Sequence, residues 1–151
     1  MKVYEVKPLE GIGEVKLGMD RQKVRSLMGE NPETSGVRDH VDNYHNGGFQ
    51  VFFDDNDKVE FIELLRESGF SATAKGMDLF TNSAKEVLAM VARYSDYNQD
   101  DLEVGYSYVF HDLELSLWRP NVPETDEDED GKYFSTVGIG VSGYYSNSVK
   151  H

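Results

Sequence analysis

An internal echo constrains the fold of this chain more than any other feature. At an offset of 63 residues, Leu17, Val24, Leu27 and Met28 fall on Phe80, Val87, Met90 and Val91. Each set carries the i, i+3, i+4 spacing of an apolar stripe along a short helix. The first helix is expected between an N-cap at Asp20 and a left-handed stop at Gly29, with Pro32 just beyond. The second opens on a capping box, Ser83 with Glu86, and is expected to run to about Tyr94. Strands follow each helix. In the first half they are expected from Val41 to His45, from Phe49 to Phe53 and from Lys58 to Leu65, with Asn46-Gly47-Gly48 and Asp54-Asp55-Asn56-Asp57 as turns. In the second half they are expected from about Val104 to Phe110, Leu113 to Trp118 and Tyr133 to Val141.

A unit of one helix and three strands cannot bury its apolar face alone, so two such units are expected to share a sheet. The sequence therefore reads as a single α+β domain over 1–151: two tandem helix-plus-three-strand repeats, about 9–66 and 74–145, sharing an antiparallel sheet. Helices would cover one face and leave the other open, as antiparallel sheets allow. The second repeat needs an insertion of about a dozen residues, 120–131, to keep the match.

That insertion is the densest part of an acidic block. The chain has 28 acidic and 15 basic side chains, a net −13, and residues 96–131 alone account for −11, with Arg119 their one basic residue. The run Glu124-Thr125-Asp126-Glu127-Asp128-Glu129-Asp130 is too charged for a strand or a core and reads as a solvated loop. Net charge of this sign disfavours nucleic acid and anionic membrane as partners. With no cysteine there is no disulfide framework, thiolate metal site or thiol nucleophile. The N-terminal Met1 to Lys7 alternates charged with apolar residues, reading as a strand rather than a signal peptide, and no apolar run approaches the ~20 residues of a membrane span. A cytoplasmic protein is expected.

Alternation sketches the open face. A two-residue turn at His111-Asp112 would pair Phe110 with Leu113, Tyr108 with Leu115 and Tyr106 with Leu117, all six facing the helices. Trp118 would then stand on the open face across from Gly105, with Ser116 and Glu114 beside it. On the last strand Val137, Ile139 and Val141 would face inward. Phe134, Thr136, Gly138, Gly140, Ser142 and Tyr144 would face out, and Asn43, His45, Gln50 and Phe52 would extend the face into the first repeat. Large aromatics on a floor of small residues suit contact with a protein, because rigid aromatic side chains lose little entropy on binding. Trp118, Phe134 and Tyr144, with Glu124, Asp126, Glu127, Asp128, Glu129 and Asp130, are the candidate partner-binding residues.

Other motifs fall short of their chemistry. Gly138-Ile139-Gly140-Val141-Ser142-Gly143 spells a dinucleotide-binding string, but eight residues remain after it, too few for the helix that must receive the pyrophosphate. Asp126, Asp128, Asp130 and Gly131 open like a calcium-binding loop, yet the twelfth position is Val137 rather than a bidentate Glu. The four histidines have no spacing for a shared metal; hydrogen bonding at hairpin turns is the simpler role for His45 and His111. No nucleophile with an assigned base is evident, so the chain is expected not to be an enzyme and to need no cofactor.

The stretch Gly11-Ile12-Gly13-Glu14-Val15-Lys16-Leu17-Gly18-Met19-Asp20, then Val24, Leu27-Met28-Gly29 and Pro32, leads on to Tyr44, Val51-Phe52-Phe53 and Lys58-Val59. This pattern resembles the SmpA/BamE lipoprotein group and the β-lactamase inhibitor protein (BLIP)-like fold, without the former's signal peptide and lipidated cysteine or the latter's disulfides. The resemblance implies a tandem-repeat scaffold with a concave binding sheet and an acidic loop. It transfers no individual inhibitory residue. Together these readings point to a non-enzymatic, bacterial protein-binding module, a cytoplasmic inhibitor or immunity protein that neutralises a toxin or enzyme with a basic surface. The alternative is a calcium- or small-ligand-binding domain using Asp126, Asp128 and Asp130.

Overall fold

The computed structural model describes residues 2–29, 40–66, 69–97, 106–125 and 131–145. The chain runs β1 (Lys2–Lys7), β2 (Gly11–Ile12), β3 (Val15–Lys16), α1 (Arg21–Met28), β4 (Val41–Tyr44), β5 (Phe49–Phe53), β6 (Val59–Leu65), β7 (Phe70–Ala74), β8 (Met77–Asp78), α2 (Ala84–Val91), β9 (Ser107–Phe110), β10 (Leu115–Trp118) and β11 (Thr136–Gly140). The protein is mixed α+β, with two helices and two sheets among the described residues.

Six strands form the larger sheet in the order β4-β5-β6-β11-β10-β9, antiparallel throughout. Three come from each half of the chain, and they meet where β6 pairs with β11. Alternation explains which side each residue takes. Phe49, Val51, Phe53, Ile62, Leu64, Phe110, Leu115, Leu117, Val137 and Ile139 are buried on one face. Against them pack Val24 of α1 and Ala84, Val87, Met90 and Val91 of α2.

The helices share that covering layer with a second sheet, of order β3-β2-β1-β7-β8, which the sequence reading did not foresee. The N-terminal strand belongs to it, pairing parallel with β7 so that Tyr4 lies beside Ala72. Tyr4, Val6, Ile12, Val15, Phe70 and Ala72 carry its contribution into the common core.

The two helices are anchored differently. The capping box of α2 forms as expected: the Glu86 amide donates to Ser83 Oγ, and the Ser83 amide donates to the Glu86 carboxylate. The helix stops at Val91 rather than Tyr94. Asp20 occupies the N-cap position of α1 without a side-chain cap; its carboxylate pairs instead with Lys58. Only Val24 of α1 is buried. Charge holds α1 in place. Asp42 of β4, 1% exposed, takes Arg21 Nη2 at 2.8 Å and Arg25 Nε at 2.9 Å from successive turns of the helix. Arg21 also lies over the Phe53 ring, 4.7 Å from its centre. Burial alone would raise the Asp42 pKa, but the hydrogen bonds and charges of Arg25 and Arg21 outweigh it and hold the carboxyl below its usual range.

The β9–β10 turn differs from expectation. Residues 111–114 make a four-residue turn, with Glu114 at φ 48°, so Phe110 lies opposite Leu115 and Trp118 opposite Ser107. The shift from the expected register is two positions, an even number, so every residue within the strands keeps its face. Tyr106, expected to face the helices, precedes the strand and is 48% exposed.

Candidate protein-contact surface

The uncovered face of the larger sheet has two ends of different character. At one end, β11 passes Gly138 and Gly140 beneath aromatic rings. A Cβ on Gly138 would lie 2.4 Å from Phe61 Cζ, and one on Gly140 2.6 Å from Tyr144 Cγ. The missing side chains are therefore filled by the protein itself. Phe61 stacks on Tyr144 at 4.6 Å with 9° between planes, Phe52 meets Phe61 edge-on at 5.4 Å, and Tyr145 meets both Phe61 and Tyr144 edge-on.

The turn that carries these tyrosines is latched by Glu114. Its carboxylate is buried and accepts from the Gly143 amide at 3.0 Å and the Tyr145 amide at 2.9 Å. The Tyr145 hydroxyl donates to or accepts from Ser116 Oγ. Burial pushes the phenols of Tyr144 and Tyr145 above their usual range; for Tyr145 the hydrogen bond to Ser116 offsets part of this. Burial, with the charges of Asp54 and Asp55, also raises Glu60.

Trp118 stands at the other end, 42% exposed. Its row is rigid across three strands. The Arg66 amide donates to the Ser135 carbonyl at 2.8 Å, and the Ser135 amide donates to the Trp118 carbonyl at 2.8 Å. Leu65, Arg66, Trp118, Ser135 and Thr136 line a cleft of about 310 Å³ there.

Trp118 leads directly into the acidic segment, whose base is tied down by the one basic residue of the −11 block. Arg119 is buried; its Nη1 donates to the Gly131 carbonyl at 3.1 Å and its Nη2 to the Tyr108 hydroxyl at 3.3 Å. Gly131, at φ 77°, passes so close to the chain that a Cβ there would sit 1.9 Å from the Asn121 carbonyl oxygen. Both stems of the loop are thereby held together. The Lys132 carbonyl accepts from the Ala84 amide at 2.7 Å, which joins the loop to the first turn of α2.

The candidate residues therefore separate. Trp118 and Glu124 are both exposed. Tyr144 is on the open face as expected, but half-buried against Phe61 rather than standing clear. Phe134 corrects the expectation: it is 0% exposed and packs edge-on to Tyr108 on the helix-covered side. The reason is that β11 begins at Thr136, so strand alternation does not extend back to Phe134, and a phenyl ring gains about 2 kcal/mol by turning inward. His45 also leaves the open face; it sits in the hairpin turn at φ 53°, with Nε2 2.8 Å from the Tyr4 hydroxyl. Asp126, Glu127, Asp128, Glu129, Asp130 and Gly105 lie outside the described residues. Among the described residues no three His, Asp or Glu side chains gather in a way that could hold a metal ion, and no helix is long and apolar enough to cross a membrane.

Asp42 and Arg66 are residues that sequence reading passed over, whereas Glu114 was expected on the open face rather than as a buried latch and Arg119 was noted for its charge alone. Arg119 carried a signal, as the sole base in an acidic block. Asp42 carried a weaker one, as a charge at an inward position of an alternating strand. No family model, curated protein or solved structure matches this chain.

Proposed function

We propose that this chain is a non-enzymatic protein-binding module, an inhibitor or immunity protein of the cytoplasm that neutralises a toxin or enzyme through that partner's basic surface. The observation that carries the reading is Trp118, half-exposed on a hydrogen-bonded three-strand row and continuous with the acidic segment. Tryptophan is among the residues enriched at the energetic hot spots of protein interfaces. Dense negative charge beside it would speed encounter with a basic partner and make the rate fall with salt.

The tandem-repeat reading and the likeness to the SmpA/BamE-like and BLIP-like fold belong to the same proposal. They are supported by the mirrored order of the larger sheet, in which β4-β5-β6 of one half faces β11-β10-β9 of the other. The test is capture from the source cell with the wild-type chain, with Trp118→Ala, and with a loop in which Glu124, Asp126, Glu127, Asp128, Glu129 and Asp130 become Gln or Asn. A basic protein held by the wild type and lost from both variants is expected. A partner held equally by all three would refute this surface.

A further inference from the structure

The cleft beside Trp118 has a charge opposite to that of its surroundings. Arg66 lies 4.8 Å over the Tyr133 ring, a cation at one edge of a chain with net charge −13. An arginine over an aromatic face still presents its fork of N–H donors. Among the described residues none forms an ion pair with Arg66 or accepts from its guanidinium. Arg66 lines a cleft of about 310 Å³ together with Leu65, Trp118, Ser135 and Thr136, large enough for one side chain. The backbone under it is fixed by the Arg66–Ser135–Trp118 hydrogen-bonded row, so little order has to be created on binding.

We infer that this cleft receives a carboxylate side chain, Glu or Asp, from the protein partner, held by the Arg66 fork with its methylene stem against Trp118. The inference rests on the reading of this surface as a protein-contact site and deepens it. A partner that meets the acidic loop with basic residues would present one acid at this point, and a mixed pattern of that kind fixes register and rejects uniformly basic competitors.

The test needs no partner, which separates its failure from failure of the broader reading. Trp118 is the single tryptophan, so its indole N–H gives one resolved signal in a nitrogen–proton correlation spectrum. The full chain is titrated with acetyl-Gly-Glu-Gly-amide, with the Gln analogue, and with inorganic phosphate. The Glu peptide is expected to move the indole signal saturably, with Kd on the order of 1 mM, as suits one charge-assisted contact. Arg66→Gln should weaken it about tenfold or more, and Arg66→Lys, which keeps charge but loses the fork, should fall between. Dispersed spectra of both variants verify that they fold. The inference is overturned if the Glu peptide gives no saturable shift, if the Gln peptide or phosphate matches it, or if Arg66→Gln leaves it unchanged.

Discussion

The two halves of the larger sheet solve the same problem in different ways. Each half of the chain contributes three antiparallel strands and one short helix. In the first half α1 buries a single side chain, Val24, and is fastened by Arg21 and Arg25 to Asp42. In the second half α2 buries Ala84, Val87, Met90 and Val91 and begins at a complete capping box. One helix is held by charge and the other by apolar burial. An apolar anchor is indifferent to pH, whereas a buried ion pair makes the first half sensitive to it.

Removing the charge anchor should have the largest effect. Asp42→Ala would take the shared carboxylate from Arg25 and leave Arg21 with its pairing to Asp57; because the two arginine side chains also keep 35% and 17% exposure, the cost is expected at about 2–4 kcal/mol rather than that of a fully buried pair. Urea unfolding measures it. The folded Asp42 pKa is depressed, so its stabilisation is complete above the ordinary carboxylate range and is lost as the pH falls through that range toward the lower folded value. Unfolding curves of wild type and Asp42→Asn should therefore converge in acid. Parallel curves would show that the ion pair does not anchor α1.

Val87→Ala comes next. The side chain is fully buried in the core, and losing two methyl groups should cost about 2 kcal/mol, the same at pH 4 and pH 7. The caps give a finer contrast. Ser83→Ala breaks a formed box and should cost about 1 kcal/mol, while Asp20→Ala removes only an exposed pairing with Lys58 and should cost less than about 0.5 kcal/mol. Equal losses at the two caps would contradict the difference between the helices. Trp118→Ala should cost less than Val87→Ala, because the indole is 42% exposed and lies outside the buried core.

Sequence patterning made β4, β5 and β6, the capping box and the inward set Leu115, Leu117, Val137 and Ile139 legible, since each depends on neighbours close in the chain. The Asp42 anchor was not, because its partners lie 17 and 21 residues away and nothing local pairs them. The second sheet was missed for a related reason: β1 joins β7 by parallel pairing across most of the first half. Phe134 and Tyr144 were read by extending alternation beyond β11, where the chain has already left the sheet. Trp118 came through because the register error was even. The floor of small residues was also visible, but Phe61 and Tyr144 already occupy it, which moves the available contact area toward the Trp118 end.

The central claim is that Trp118 and the acidic segment form one partner-binding surface. Its most direct measurement is calorimetric affinity for the captured partner at low and physiological salt, with wild type, Trp118→Ala and the neutralised loop. Trp118→Ala is predicted to weaken binding about tenfold or more at both salts, as an interface anchor should, and the neutralised loop to bind more weakly with a shallower salt dependence. Affinities unchanged in both variants would contradict the account.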